Sequence, residues 1–142
     1  MKRVFVDTSA LVALFDRKDR NHLRAKALLE KIRTDRTHMI ITDCILAECV
    51  TIVLSAAGHH AAVAVGELIL GSKIIQITWL DESTKRRAWD FFKKRSDKTF
   101  SFTDCTSFAV MKELGMAKYF SFNSDFKKAG FMEYGTGIKG RQ

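Results

Sequence analysis

The chain has 142 residues, 46% hydrophobic and 28% charged, the size of one ordinary domain with material for a core. That composition excludes a largely disordered chain, and the absence of Pro, with 8 Gly scattered until the end, excludes a Pro/Gly-rich linker. An excess of 24 Lys+Arg over 16 Asp+Glu, net +8, favours a polyanionic partner, nucleic acid first, although a generally basic soluble protein would show the same balance.

Val4-Phe5-Val6 is a short apolar run and predicts a buried strand. Asp7-Thr8-Ser9 follows it, with Thr8 or Ser9 placed to cap a helix from Ala10 to Phe15. A charged connector over 16–20 leads to an amphipathic helix over 21–33, whose apolar face is read as Leu23, Ala27 and Ile32, widened by Leu28 and Leu29. Met39-Ile40-Ile41 predicts a second strand. Thr42 or Asp43 caps a helix to Ala57, stopped by Gly58, and a further helix runs from His59 to Leu70 before Gly71. Ile74 to Thr78 predicts a third strand, and Asp81 to Arg95 a helix with acids in its first turn and bases in its last. A helix from Phe102 ends at Leu114-Gly115, and Tyr119 to Phe122 predicts a fourth strand. Strands alternating with amphipathic helices indicate an α/β fold with a parallel sheet covered by helices. The domain is expected to occupy 1–134, with 135–142 a flexible basic tail whose Lys139 and Arg141 would aid non-specific nucleic-acid binding.

The three Cys (Cys44, Cys49, Cys105) are odd in number and form no CxxC. They are read as small core residues, which suits a reducing cytoplasm. No apolar run is long enough for a signal h-region or a membrane span.

Most acids sit among charged neighbours: Asp16 and Asp19 in the first connector, and Asp97 beside Arg95, read as solvated. Three do not. Asp7 ends an apolar strand, Glu48 lies inside Ile45-Leu46-Ala47-Glu48-Cys49-Val50, and Asp104 lies between Phe102 and Phe108. Each has a local alternative: Asp7 as a cap, Glu48 turned to solvent, Asp104 as a helix-dipole acid. A carboxylate near a core is nevertheless costly unless paired or bound to metal, and neither Glu48 nor Asp104 has a close sequence neighbour to pair it. Convergence accounts for all three. Ligands bind at the carboxyl ends of strands in open parallel sheets, which places Asp7, Asp104 and Asp125 on one rim with Glu48 reaching in from the side. Two unit charges 4 Å apart repel by roughly 4 kcal/mol at an effective dielectric of about 20, so protons or a cation must compensate. Oxygen-only donors select Mg²⁺ or Mn²⁺ over Zn²⁺. Metal in a basic protein would let a scissile phosphate approach the acids.

At these residues the sequence resembles the PIN-domain family, in particular the VapC toxins of toxin–antitoxin pairs. The motifs are Val6-Asp7-Thr8-Ser9-Ala10-Leu11, Leu46-Ala47-Glu48, Ser101-Phe102-Thr103-Asp104 with Ser107-Phe108-Ala109, and Phe122-Asn123-Ser124-Asp125-Phe126 with Ala129-Gly130-Phe131. They occur in family order over nearly the whole chain. The resemblance implies a three-layer α/β/α sandwich with a central, mostly parallel sheet. It implies a metal-dependent endoribonuclease, usually a homodimer, and a small antitoxin that blocks the groove. Asp7, Glu48 and Asp104 carry over as metal ligands, and Thr8 and Ser107 as hydrogen-bonding support. Asn123 stands where relatives often carry Asp, so Asp125 becomes the fourth acid, with Asn123 a possible carbonyl ligand. That departure leaves a non-catalytic RNA-binding module as the alternative function. A phosphatase with an Asp7 nucleophile fits poorly, because such enzymes carry a second Asp two residues on and this chain has Ser9.

His59 and His60 are read as surface residues, and His22 and His38 lack a clear partner. Trp79, Trp89, Phe91 and Phe92 are read as core or dimer interface. Arg17, Lys18 and Arg20, with Lys127 and Lys128, are candidate phosphate contacts or simply a solvated face.

Overall fold

The computed structural model describes residues 2–97 and 99–135; the expected basic tail lies, beyond Gly135, outside the described residues. In chain order the elements are β1 (Arg3–Val6), α1 (Thr8–Phe15), α2 (His22–Thr34), β2 (His38–Thr42), α3 (Asp43–Ala57), α4 (His59–Gly71), β3 (Ile75–Thr78), α5 (Glu82–Lys94), α6 (Phe102–Glu113), β4 (Lys118–Phe120), α7 (Asp125–Lys128) and β5 (Met132–Glu133). All pairings are parallel and the sheet order is β3-β2-β1-β4-β5. This is the expected α/β/α architecture. Right-handed crossovers put the helices on both faces of such a sheet.

The order matters for the site. The chain builds outward from β1 to β2 and β3, then returns to lay β4 on the other flank of β1. Strand order therefore reverses between β1 and β4, the crevice where open α/β sheets place ligands. Val4, Phe5 and Val6 are fully buried in that central strand, which explains its unbroken apolar run.

An aromatic cluster joins the second half of the chain to β1. Phe126 of α7 packs 6.0 Å from Phe5 and 5.0 Å from Phe108 of α6, ring centre to ring centre, and Phe108 also meets Phe100 at 5.1 Å. Each of these rings lies within a few residues of a candidate acid: Phe5 of Asp7, Phe108 of Asp104, Phe126 of Asp125.

The structure differs from the sequence reading in several places. The buried face of α2 is Ala25 and Ile32, with Leu28 and Leu29 half-buried, whereas Leu23 is 78% exposed and Ala27 is exposed. Positions 25, 28/29 and 32 follow the helical repeat as well as the expected set does, so periodicity alone leaves the phase open. β4 ends at Phe120, because Ser121 and Asn123 turn the chain: the Asn123 amide donates to Ser121 Oγ at 3.1 Å. The short α7 and β5 have no counterpart among the expected elements. Trp79, Trp89 and Phe92 are exposed rather than core, and Phe91 is half-buried; Trp89 and Phe92 stack on each other and both meet Phe102 edge-on. Of the Cys residues, Cys49 and Cys105 are buried and Cys44 is half-buried; burial pushes the Cys49 and Cys105 thiols up to about 11. Among the described residues no helix is long and apolar enough to cross a membrane.

Candidate active site

Asp7 is the first residue after β1. Its backbone is extended and forms the N-cap of α1, but its side chain does not cap the helix. Instead Asp7 Oδ2 accepts three hydrogen bonds, from Ser121 Oγ at 2.9 Å, Ser9 Oγ at 3.2 Å and Asn123 Nδ2 at 3.2 Å. Ser9 Oγ also accepts from the Phe122 amide at 2.9 Å. The first turn of α1 and the loop after β4 are thereby laced together across the switch point. Asp7 is 4% exposed, and burial raises its carboxyl above the usual range. Hydrogen bonds from Ser121, Thr8 and Ser9 pull it back down, and the nearby Glu48 charge raises it further.

Asp104 sits in the first turn of α6. Ser101 and Asp104 form a reciprocal capping box: the Asp104 amide donates to Ser101 Oγ at 2.9 Å and the Ser101 amide to Asp104 Oδ2 at 3.1 Å. Asp104 therefore does serve the helix terminus, as the local alternative holds, but with one oxygen only. Desolvation pushes its carboxyl up to about 7, against the Ser101 hydrogen bond, with help from the charge of Asp7 and from a shared hydrogen bond and repulsion with Asp125.

Glu48 projects from the second turn of α3, a helix started by Thr42, whose Oγ1 accepts from the Ile45 amide at 3.1 Å. The core face of that helix is Ile45, Cys49 and Val53. Glu48 lies at its edge, half-buried, and with Ile52 one turn on it forms a wall of the cleft.

These side chains line one cleft of about 350 Å³, together with Thr8, Ser9, Val12, Asp19, Asn21, Ser101 and Asn123. The structure thus brings Asp7, Glu48 and Asp104 together. Asp125 is not on the lining; it stands behind Asp104, which it touches. Asn123 faces the cleft, yet its Oδ1 accepts from the Asp125 amide at 2.8 Å and its Nδ2 points at Asp7.

The hydrogen bonds to Asp7 come from Ser9, Ser121 and Asn123. Among the described residues, Thr8 Oγ1 in the first turn of α1 and Ser107 Oγ, one helical turn beyond Asp104, are buried without a hydrogen-bond partner. Ser9 and Ser121 hold Asp7 instead. Asp19, read from sequence as solvated, is half-buried on the cleft wall, where its Oδ1 accepts from the Asn21 amide at 2.8 Å. The sequence offers no signal for Ser121, but Ser9 lies two residues from Asp7, where a hydroxyl commonly reaches a neighbour's carboxylate or amide. Arg17 and Lys18 are exposed on the connector that carries Asp19, and Lys127 and Lys128 are exposed on α7.

The donor chemistry fits a hard divalent cation. The acids share the cleft lining with hydroxyl and carboxamide groups and with no His or Cys, burial and mutual repulsion both disfavour the ionised acids, and two buried hydroxyls lack partners among the described residues. Among the described residues no group of three or more His, Cys, Asp or Glu side chains stands close enough to hold a metal ion by itself. The acids line an open cleft, the arrangement suited to Mg²⁺, which retains several waters and takes few protein ligands.

The PIN-domain family model matches residues 4–132. The 23S rRNA-specific endonuclease VapC20 of Mycobacterium tuberculosis, in strains CDC 1551 / Oshkosh and ATCC 25618 / H37Rv, is 33% identical over 131 residues, covering 92% of this chain and 96% of the relative. The crystal structure of M. tuberculosis VapC20, described as a sarcin–ricin-loop-cleaving toxin, superposes with a TM-score of 0.81 at 30% identity, over 91% of this chain and 96% of that one. The chain belongs to the PIN-domain family, among its VapC-type toxin ribonucleases.

Proposed function

We propose that this protein hydrolyses phosphodiester bonds of ribosomal RNA with the help of Mg²⁺ or Mn²⁺, that Asp7, Glu48 and Asp104 hold the cation, and that a small antitoxin occludes the cleft. The observation that carries the reading is the meeting of three carboxylates, distant in sequence, in one cleft at the reversal of strand order. The ribosomal substrate is argued from VapC20, which is named for 23S rRNA and matches this chain nearly end to end.

In this reading Asp7 presents its Oδ1 to the cleft, since Oδ2 is fully engaged. Asp104 joins it on the lining, with Oδ2 committed to the Ser101 amide. Glu48, brought to the cleft by α3, completes the ligand set. A bound divalent cation would neutralise the phosphate and lower the pKa of the attacking water. Asp125 supports from behind, through Asp104. Arg17, Lys18, Lys127 and Lys128 contact phosphates around the cleft, supplying register rather than sequence. The exposed Trp89, Phe92 and Phe102 cluster is the surface a homodimer would cover.

The test is cleavage of ribosomal RNA by the purified protein with Mg²⁺, with Mn²⁺ and with a chelator, beside Asp7→Asn and Asp104→Asn. The proposal expects loss on chelation, and at least about a hundredfold loss in each variant, the scale of removing one group that stabilises developing charge. Equal cutting by both variants would remove the assigned site. Salt-sensitive RNA binding with no turnover in any metal would favour the non-catalytic alternative.

A further inference from the structure

We infer that Asn123 is a positioning residue and not a cation ligand. Its carboxamide bridges Asp7 to the backbone at Asp125, placing a hydrogen-bond donor at a corner of the site where an acid would place charge.

The orientation of the amide is fixed by its two ends. Asn123 Nδ2 lies 3.2 Å from Asp7 Oδ2, a carboxylate acceptor, and Asn123 Oδ1 lies 2.8 Å from the Asp125 backbone amide, a donor. Exchanging oxygen for nitrogen would set acceptor against acceptor at one end and donor against donor at the other. Both contacts therefore select the same orientation, which removes the usual ambiguity of an Asn side chain. In that orientation the carbonyl faces the start of α7 and the NH₂ faces the acid. The Asn123 amide itself donates to Ser121 Oγ at 3.1 Å, and Ser121 Oγ donates to Asp7 Oδ2 at 2.9 Å. Side chain and backbone of Asn123 are thus both tied to the group of residues that holds Asp7.

An Asp at position 123 would lose the donor and bring a second carboxylate to 3.2 Å from Asp7 Oδ2. Like charges at that distance need a cation or a shared proton between them, and either costs the metal-free protein stability near neutral pH. Asn123 thus lowers the charge the site asks of its metal and lets the metal-free protein hold Asp7 in place. The inference about cation demand rests on the metal reading of the site; the clamp itself does not.

The experiment compares the unsubstituted protein with Asn123→Asp and Asn123→Ala, by melting in chelator and by calorimetric titration with Mn²⁺. Asn123→Asp is expected to melt about 4 °C or more below the parent in chelator. Mn²⁺ should restore most of that loss and bind about tenfold tighter or better, as expected for an added ligand charge. Asn123→Ala is expected to bind Mn²⁺ within about threefold of the parent, since Ser121 and Ser9 still hold Asp7. A loss of about tenfold or more in a folded Asn123→Ala makes Asn123 a ligand and overturns the inference. So does an Asn123→Asp protein that melts with the parent in chelator. Absence of Mn²⁺ binding in the parent overturns the cation-demand part and, with it, the metal reading. If the variants do not fold, side-chain amide exchange in the ¹⁵N-labelled parent decides the clamp. One Asn123 Nδ2 proton should be protected from solvent without metal, and rapid exchange of both overturns it.

Discussion

At the scale of single residues, the site is a set of carboxylates held in a form they do not prefer. Burial raises Asp7, and Asp104 is pushed up to about 7 from an ordinary value near 3.8. Between these values the folded protein binds protons that the unfolded chain has released. Its contribution to stability is therefore complete below about pH 4 and is lost as pH rises through about 7. The lowered carboxyls of Asp35 and Asp81 act below their ordinary value of 3.8 and leave this window untouched. Metal-free protein should accordingly melt higher at pH 5.5 than at pH 8, and Asp104→Asn should flatten part of that slope. The Mg²⁺-induced rise in Tm should run the other way and be larger at pH 8, because a cation favours the ionised acids. Thermal melts at the two pH values, with and without Mg²⁺, check both signs.

Three of these residues are legible in the sequence because an acid inside an apolar stretch is physically anomalous. Asp7 after Val4-Phe5-Val6, Glu48 between Ala47 and Cys49, and Asp104 between Phe102 and Phe108 all meet in the cleft. Asp19 and Ser121 are not legible, since an acid in a charged connector and a serine after a strand look ordinary. Only the adjacency of β1 and β4 gives Ser121 a role, and only the folding of the connector onto the cleft wall gives Asp19 one. Thr8 and Ser107 are named by resemblance, yet the hydroxyls that grip Asp7 belong to Ser9 and Ser121.

At the scale of elements, the start of α6 and the aromatic cluster fix the acids relative to one another. Ser101→Ala removes the hydroxyl half of the capping box and should cost about 1 kcal/mol, a fall in Tm of roughly 2–4 °C. It should lower cleavage further than that loss of stability explains, because the cap also orients Asp104. Phe126 is fully buried between Phe5 and Phe108, and Phe126→Ala should destabilise the fold by about 3–5 kcal/mol in chemical denaturation. The long elements can be read from hydrophobic period and end signals; Gly58 after α3, at φ 93°, is one such stop. α7 and β5 span too few residues for any period to appear, and the phase of α2 is ambiguous because two faces of it fit the repeat. The exposed aromatics of α5 show the limit of equating apolar with buried.

At the scale of the molecule, a chain of net charge +8 carries a cleft lined by Asp7, Asp19, Glu48 and Asp104 and by no Lys or Arg. Under the proposed function the basic residues would gather RNA and a cation would bring the phosphate to the acids, so binding and cutting should respond separately to salt and to chelation. Replacing Lys127 and Lys128 with Gln should reduce the log–log salt slope of RNA binding by roughly 0.7 for each phosphate that is no longer neutralised. A fluorescence-anisotropy titration from low to moderate salt measures it.

The measurement that tests the central claim most directly is the position of manganese in crystals of the protein grown with MnCl₂, read from anomalous scattering at the manganese edge. The account predicts density in the cleft within ligand distance of Asp7, Glu48 and Asp104, and its loss in crystals of Asp7→Asn. An ordered manganese bound elsewhere, in a protein that cuts RNA with Mn²⁺, would contradict it.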